Sequence, residues 1–427
     1  MNKLNLSERD ARVLWHPYTQ MKIYPKSIAI VEAKGCYLYD EEGKKYLDAI
    51  SSWWVNIHGH CHPHITEAIS KQVASLEQVI FAGFTHQPAV SLAEKLLPLL
   101  PARHQRLFLS DNGSTAVEAA LKMAIQYFVN QGKPRHKFIA FRDAYHGDTF
   151  GSMSVSARSV FTAPFHRILF DVLFVDTPSY ENEQNVIVQF KQLLQEYRDE
   201  VCAFIYEPLV LGSGGMFMYS ASLLQQLLEI AKDAGILCIA DEVMTGFGRT
   251  GTMFASERCS VYPDIICLSK GITGGFLPLG ATTCTEEIFQ IFWSDDKSKM
   301  LFHGHSYTGN ALACAAACAS LEVWEKENTR NKIRNISQWN EEFLEKLKPV
   351  KAIQNLRSCG TITAMEVCSE KNDYLDPVKE RLMKFYLEKG ILLRPLGNTI
   401  YILPPYCITK EELSMVFDVI ANSVSVL

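Results

Sequence analysis

From about residue 105 to 285, short continuous apolar runs alternate with stretches whose apolar positions recur at helical spacing. RLFLS precedes TAVEAALKMAIQYFV, KFIAF follows, VLFVDT precedes NVIVQFKQLLQEY, CAFIYEP precedes SLLQQLLEIAKDAG, and ILCIADEV and DIICLSK complete the series. A strand that is apolar at consecutive positions is buried on both faces, and the intervening helices supply the cover. The pattern predicts an α/β fold whose large domain holds a mainly parallel sheet.

After about residue 330 the texture changes. Two helical patterns, ISQWNEEFLEKLK and DPVKERLMKFYLEKG, flank the strand-like TITAMEV, and ILLRPLGNTIYILPP reads as two strands about a Gly-Asn turn. These segments predict a smaller α+β domain, which the hairpin-like IAIVEAKGCYLYDEEGKKYLD joins from the N-terminal side. The expected division is residues 1–65 as an N-terminal segment joining the small lobe and lining the functional site, 66–325 as the large domain, and 326–427 as the small one. A chain of 427 residues exceeds what one core usually organises, and no repeat or low-complexity linker separates the lobes.

Composition adds exclusions. A net charge of −5 leaves no basic footprint for nucleic acid or an anionic membrane. No apolar stretch is long enough to span a bilayer, and the opening MNKLNLSERDARVLWHPYTQ lacks the apolar centre of a secretory signal. The twelve cysteines include no C-x-x-C pair, and Cys202, Cys238 and Cys267 sit inside apolar runs, as reduced core thiols do. A cytoplasmic enzyme acting on small molecules is the expectation.

Candidate chemistry gathers at the ends of the apolar runs. In PDIICLSKGITGG, Lys270 ends a core strand, where a cation is costly to bury. Either the ammonium simply reaches water, or the amine is kept neutral or engaged as an imine. One strand earlier, ILCIAD delivers Asp241 at the edge where open α/β sheets bind ligands. An amine and a carboxylate at neighbouring strand ends suit a pyridoxal phosphate site, and equally an ordinary ion pair. In LSDNGSTAVEAAL, Gly113 and Ser114 open a helix whose free N–H groups favour an anion, although Ser and Thr cap helices regardless. Tyr145 and His146 lie in the glycine-bounded loop AYHGD, where an aromatic either covers a flat ring or fills the core. GFGRTG matches a dinucleotide fingerprint, but it stands five residues beyond the strand and lacks a good crossover helix, so a loop is expected. His58, His60, His62 and His64 have zinc-like spacing if extended; Pro63 fits the start of a helix that would splay them, so no metal is expected.

These motifs resemble the class III, fold-type-I pyridoxal phosphate aminotransferases over essentially the whole chain. The group-level marks are DEVMTGFGRTG, CLSKGITGG, NGSTAVEAAL, YHGD and HGHSYTGN; narrower marks are WHPYTQ, SSWWVNIHGH, DTFGSMSV and RPLGNTIYILPPY, which point to the biotin-biosynthesis branch. The resemblance implies pyridoxal 5'-phosphate as cofactor and a homodimer with its active site at the subunit interface. It implies ping-pong transfer of an amino group from S-adenosylmethionine, or lysine in some members, to 8-amino-7-oxononanoate, giving 7,8-diaminononanoate. Lys270 would bind the cofactor as an imine and move the proton, Asp241 would pair with the pyridine nitrogen, and Tyr145 would stack on the ring. Gly113, Ser114 and Ser306 would hold the phosphate, Ser306 coming from the partner, with Glu207 at the cofactor's far edge and Asp148 near Tyr145. Tyr18, Trp53, Trp54, Tyr145, Lys270 and Gly304 would meet substrate, with Arg394 on its distal carboxylate; Arg249 receives no role. Where many relatives read HGPT, this chain reads His303-Gly304-His305-Ser306, a departure at the wall expected to meet the cofactor and, beyond it, the amino donor.

Overall fold

The computed structural model describes residues 4–101, 103–369 and 374–426. Three antiparallel strands come first, β1 (Ile30–Lys34), β2 (Tyr37–Asp40) and β3 (Lys45–Asp48). The central strands are β4 (His104–Ser110), β5 (Lys137–Phe141), β6 (Leu173–Val175) and β7 (Val201–Tyr206). A short ribbon of β8 (Val210–Leu211) and β9 (Phe217–Met218) leads on to β10 (Leu237–Asp241), β11 (Ile265–Leu268) and β12 (Gly280–Thr285). The last strands are β13 (Ile353–Cys359), β14 (Ile362–Val367), β15 (Ile391–Leu392) and β16 (Thr399–Ile402).

Seven strands form the main sheet in the order β4-β12-β11-β10-β7-β5-β6. All run parallel except β12, which is antiparallel to both β4 and β11. The apolar runs identify every one of these strands but β12. Its sequence, GATTCT, is fully buried yet threonine-rich, because the hydroxyls find partners inside the sheet layers. Thr282 donates to the Ala116 carbonyl at 2.8 Å, and Thr283 sits 2.9 Å from His104 Nδ1. A polar side chain satisfied in this way carries little burial cost and leaves no hydrophobic signal.

The two strands read in ILLRPLGNTIYI exist but enter different sheets. β15 runs parallel to β3, while β16 pairs with β14, so this segment knits the N-terminal strands to the C-terminal ones. GFGRTG continues as turns with no crossover helix, and Gly248 and Gly251 have φ of +95° and +97°. A Cβ on Gly248 would come within 2.3 Å of Ile333 and 2.6 Å of Trp324, so the loop packs on the C-terminal helices. Pro63 starts the helix Pro63–Val73. The nearby histidines each have a separate partner: His58 Ser320, His60 Asp48, His62 Glu327 and His64 Glu322. Among the described residues no group of metal-ligating side chains converges, and no helix is long and apolar enough to cross a membrane.

The helix Gly113–Asn130 packs on β11 and β12 with its N-terminus at the C-terminal edge of the parallel strands. Its capping is reciprocal: Asn112 Oδ1 accepts the Thr115 N–H at 3.0 Å, and Thr115 Oγ1 accepts the Asn112 N–H at 2.9 Å. Asn112→Ala should lower the unfolding free energy by about 1 kcal/mol, measured by urea denaturation, while Asn112→Asp should recover most of that loss.

Candidate active site

Parallel strands end on one side of the sheet, so β7, β10 and β11 deliver their following residues to a common edge. Glu207 follows β7, Asp241 is the last residue of β10, and Lys270 comes two residues after β11. The pairing places Asp241 beside Cys267, which brings the carboxylate and the lysine to the same cavity. That cavity, about 730 Å³, is also lined by Tyr18, Trp53, Trp54, Gly113, Ser114, Tyr145 and Arg394.

Lys270 has φ +38° and opens a single 3-10 turn ended by Gly274. Its Nζ lies 4.7 Å from the centre of the Trp54 ring, and among the described residues no hydrogen bond or ion pair holds it. Burial lowers its pKa from the ordinary lysine value, the nearby Asp241 and Glu207 carboxylates oppose that shift, and the Arg249 guanidinium reinforces it. Gly275 is required: a Cβ there would lie 2.7 Å from the Asn56 amide nitrogen.

Asp241 is fixed on both oxygens. Oδ1 accepts the Val243 N–H at 3.1 Å, and Oδ2 lies 2.7 Å from Nδ1 of the fully enclosed His146. The other ring nitrogen of His146 has no partner although it is buried. Sequence reasoning placed His146 in the loop but missed this contact, which spans 95 positions and leaves no local pattern. Glu207 accepts the Tyr145 N–H and the Gly212 N–H, both at 2.9 Å. Burial pushes its carboxyl up to about 7, against the pull of those N–H donors and of His146.

The opposite wall is aromatic. Tyr18, itself at φ +50°, donates its hydroxyl to Asp148, whose own N–H donates to Ser114 Oγ at 3.1 Å. The Tyr18 ring centre lies 5.8 Å from Trp53 and 5.7 Å from Phe161, which in turn meets Tyr374 edge-on at 4.4 Å. Phe161, Tyr374 and Tyr401 also line the cavity; Phe161 and Tyr374 carry no motif that marks them in the sequence, and Tyr401 lies within RPLGNTIYILPPY, where nothing singles it out. Arg394 lies 5.4 Å from the Trp53 ring centre and donates weakly to the Tyr18 carbonyl at 3.4 Å. Among the described residues no carboxylate pairs with it. Arg249 is enclosed and donates to the carbonyls of Pro404 at 2.7 Å and Trp54 at 3.3 Å. Gly304 and Ser306 are exposed on the loop before the helix Ala311–Lys326 and do not line this cavity.

Residues 19–424 match the aminotransferase class-III family model. The chain belongs to that family. Its similarity extends to the adenosylmethionine-8-amino-7-oxononanoate aminotransferase of Synechococcus elongatus, 48% identical over 96% of this chain and 97% of that one. The enzyme of the same name from Helicobacter pylori is 41% identical over 96% of this chain and 95% of its own length. Among solved structures, that enzyme from Methanocaldococcus jannaschii superposes with a TM-score of 0.94 at 38% identity, covering 98% of both chains. An omega transaminase from Pseudomonas jessenii in complex with PMP gives a TM-score of 0.93 at 27% identity, covering 99% of this chain and 98% of that chain.

The fold is therefore the fold-type-I transferase, and pyridoxal phosphate is the cofactor of this class-III aminotransferase. The cavity fits that group chemically. It offers a free buried amine, a fixed carboxylate with an enclosed histidine behind it, and a capped helix N-terminus. It also has a glycine cradle: a Cβ on Gly113 would lie 2.7 Å from Val243, and one on Gly147 would lie 2.1 Å from Ser114 Oγ.

Because the folded Glu207 keeps its proton up to about pH 7, it binds more protons than the unfolded chain above about pH 4.5. Its contribution to stability therefore falls as pH rises through that window. In the cofactor-free protein, Glu207→Gln should gain roughly 1–3 kcal/mol relative to the parent between pH 4.5 and 7.5, by denaturation at each pH. A pH-independent difference would show that the carboxyl is ionised throughout.

Proposed function

We propose that this class-III aminotransferase transfers an amino group from S-adenosylmethionine to the ketone of 8-amino-7-oxononanoate, producing 7,8-diaminononanoate. The observation that carries the reading is the pairing, in one cavity, of the free amine of Lys270 with a guanidinium, Arg394, that no carboxylate among the described residues pairs, set between aromatic walls. The amine serves the transfer chemistry; the guanidinium suits a substrate with a carboxylate remote from its reacting carbon. The names of the bacterial and archaeal relatives support the same pair of substrates.

Pyridoxal phosphate, when bound, supplies an aldehyde for the donor's nitrogen and a ring that accepts the electrons left when a proton departs from the adjacent carbon. Lys270 Nζ, whose proton affinity desolvation lowers, would take that proton and return it. Asp241, oriented by His146 and the Val243 N–H, would keep a proton on the pyridine nitrogen. Tyr145 would cover the ring, and Gly113 and Ser114 at the helix N-terminus would hold the phosphate. Glu207 would stand toward the ring's far edge, while Asp148 fixes the Tyr18 hydroxyl. Tyr18, Trp53 and Trp54 bury the alkyl chain of the keto acid and the larger donor in turn, since flat walls impose no fixed hydrogen-bond pattern. Gly304 and Ser306, exposed in one chain, would reach the phosphate and substrate side of a second copy, so that a homodimer would complete each site.

Two experiments test this. Borohydride treatment of the cofactor-loaded enzyme should leave the pyridoxyl mass on the peptide carrying Lys270, and Lys270→Ala should lose multiple turnover with every donor. A label on another lysine sinks the assignment. For the substrate, Arg394→Ala should reduce kcat/KM for the keto acid at least about tenfold, since a broken charge-assisted pair costs roughly 2–5 kcal/mol when the remaining charge stays desolvated. A carboxylate-free ketone analogue should lose little on the same substitution; equal losses would make Arg394 structural.

A further inference from the structure

Two of the twelve cysteines, 371 positions apart, bring their sulfurs to 3.4 Å. Cys36 lies in the turn between β1 and β2 and is 4% exposed, while Cys407 is half-buried just beyond β16. Among the described residues this is the one thiol pair in hydrogen-bond contact. Cys61 and Cys368 are exposed, and the core thiols Cys202, Cys238 and Cys267 contact backbone or nothing polar.

The pair sits beneath the segment that carries the tryptophans. The Cys36 carbonyl accepts the Asp48 N–H at 2.7 Å, and Asp48 in turn binds Ser52 N at 2.6 Å and His60 at 2.9 Å. On the other side, Tyr406 N–H donates to the Ile57 carbonyl at 2.8 Å. Gly59 lies so close that a Cβ would come within 2.6 Å of Cys407 Sγ. The two sulfurs thus flank residues 48–60 from opposite ends of the chain.

We propose that Cys36 and Cys407 form a reversible oxidation site for low-molecular-weight disulfides, whose product is a Cys36–Cys407 bond that staples the tryptophan-bearing segment from below. The more open sulfur reacts first. Cys407 Sγ, as thiolate, attacks one sulfur of the external disulfide and expels the other as a thiolate, which takes up a proton. Cys36 then loses its proton to solvent and attacks Cys407 Sγ, releasing the second external thiol. One disulfide is reduced to two thiols, and two cysteine thiols are oxidised to one bond. The contact assists the first step, because with Cys407 ionised the neighbouring Cys36 S–H donates to its thiolate, which holds the Cys407 thiol below its ordinary value. Closing 3.4 Å to a sulfur–sulfur bond of about 2.0 Å asks each side chain for a shift on the order of 1 Å. Reduced thiols remain the resting state in a reducing compartment, so the bond forms only when the disulfide pool rises. The inference does not depend on which substrates the enzyme uses.

The test is to expose the cofactor-loaded enzyme to glutathione disulfide, block remaining thiols with N-ethylmaleimide, and digest for mass spectrometry. A peptide linking Cys36 to Cys407, lost on treatment with dithiothreitol, is the expected product. Closing so long a loop should raise the thermal midpoint by on the order of 5 °C. Cys36→Ser should stop at a stable glutathione adduct on Cys407, and Cys407→Ser should leave Cys36 unmodified, both without the thermal shift. Bonds made mainly by other cysteines, a glutathione adduct that persists on Cys407 with Cys36 intact, or an unchanged midpoint once the bond has formed would overturn the proposal.

Discussion

The register between β10 and β11 is the constraint on which the site depends. Ile239, Ala240 and Asp241 pair in parallel with Ile265, Ile266 and Cys267, and both strands are wholly buried. A slip of one residue would turn Asp241 toward the opposite face and carry Lys270 out of the cavity. The apolar runs that flank the reactive residues are therefore a positioning device as much as a core. The same burial removes water from Lys270, so the packing that aligns the amine also lowers its proton affinity.

A second dependency runs through the short segment that brings Trp53 and Trp54 over the cavity. Ser51, Ser52 and Trp54 have φ of +51°, +59° and +69°, a conformation that costs on the order of 1–3 kcal/mol per residue. It persists because the surroundings over-determine it. Asp48 binds Ser52, Ser51 Oγ donates to the Leu403 carbonyl at 2.8 Å, Trp54 Nε1 donates to Tyr401 at 3.1 Å, and Arg249 grips the Trp54 carbonyl. This gives Arg249 a structural account that FGRTG alone withheld: an enclosed guanidinium tying the loop after β10 to the tryptophan turn.

What the sequence disclosed follows from range. Runs such as ILCIAD and DIICL disclose a strand locally, and parallel strands imply a common edge, so Asp241 and Lys270 were legible together. Gly113 and Ser114 were legible as a helix start, and Pro63 as another. The Asp241–His146 contact, the Phe161–Tyr374 pair and the separate destinations of β15 and β16 depend on long-range packing that no local period encodes. β12 was hidden for a different reason, since its buried threonines satisfy their hydroxyls within the protein and read as polar. Motif resemblance reached further than periodicity for Tyr18, Trp53 and Arg394, which the structure gathers around one cavity. For Gly304 and Ser306 it implied a place in a partner's site, and in the single chain both stand exposed outside the cavity.

That exposure bears on how one cavity serves two unlike substrates in the proposed reaction. Among the described residues, the walls built by this chain combine aromatic rings with Arg394, which no carboxylate pairs, an arrangement that suits an alkyl chain ending in a carboxylate. The loop His303-Gly304-His305-Ser306 presents two imidazoles 3.1 Å apart, with His305 Nδ1 3.7 Å from Asp111. If a second copy contributes this loop, the acceptor is selected mainly within a chain and the donor partly across the interface. Substitutions at His305 would then alter donor preference while leaving the keto-acid half of the cycle untouched, the converse of the selective keto-acid loss expected for Arg394→Ala.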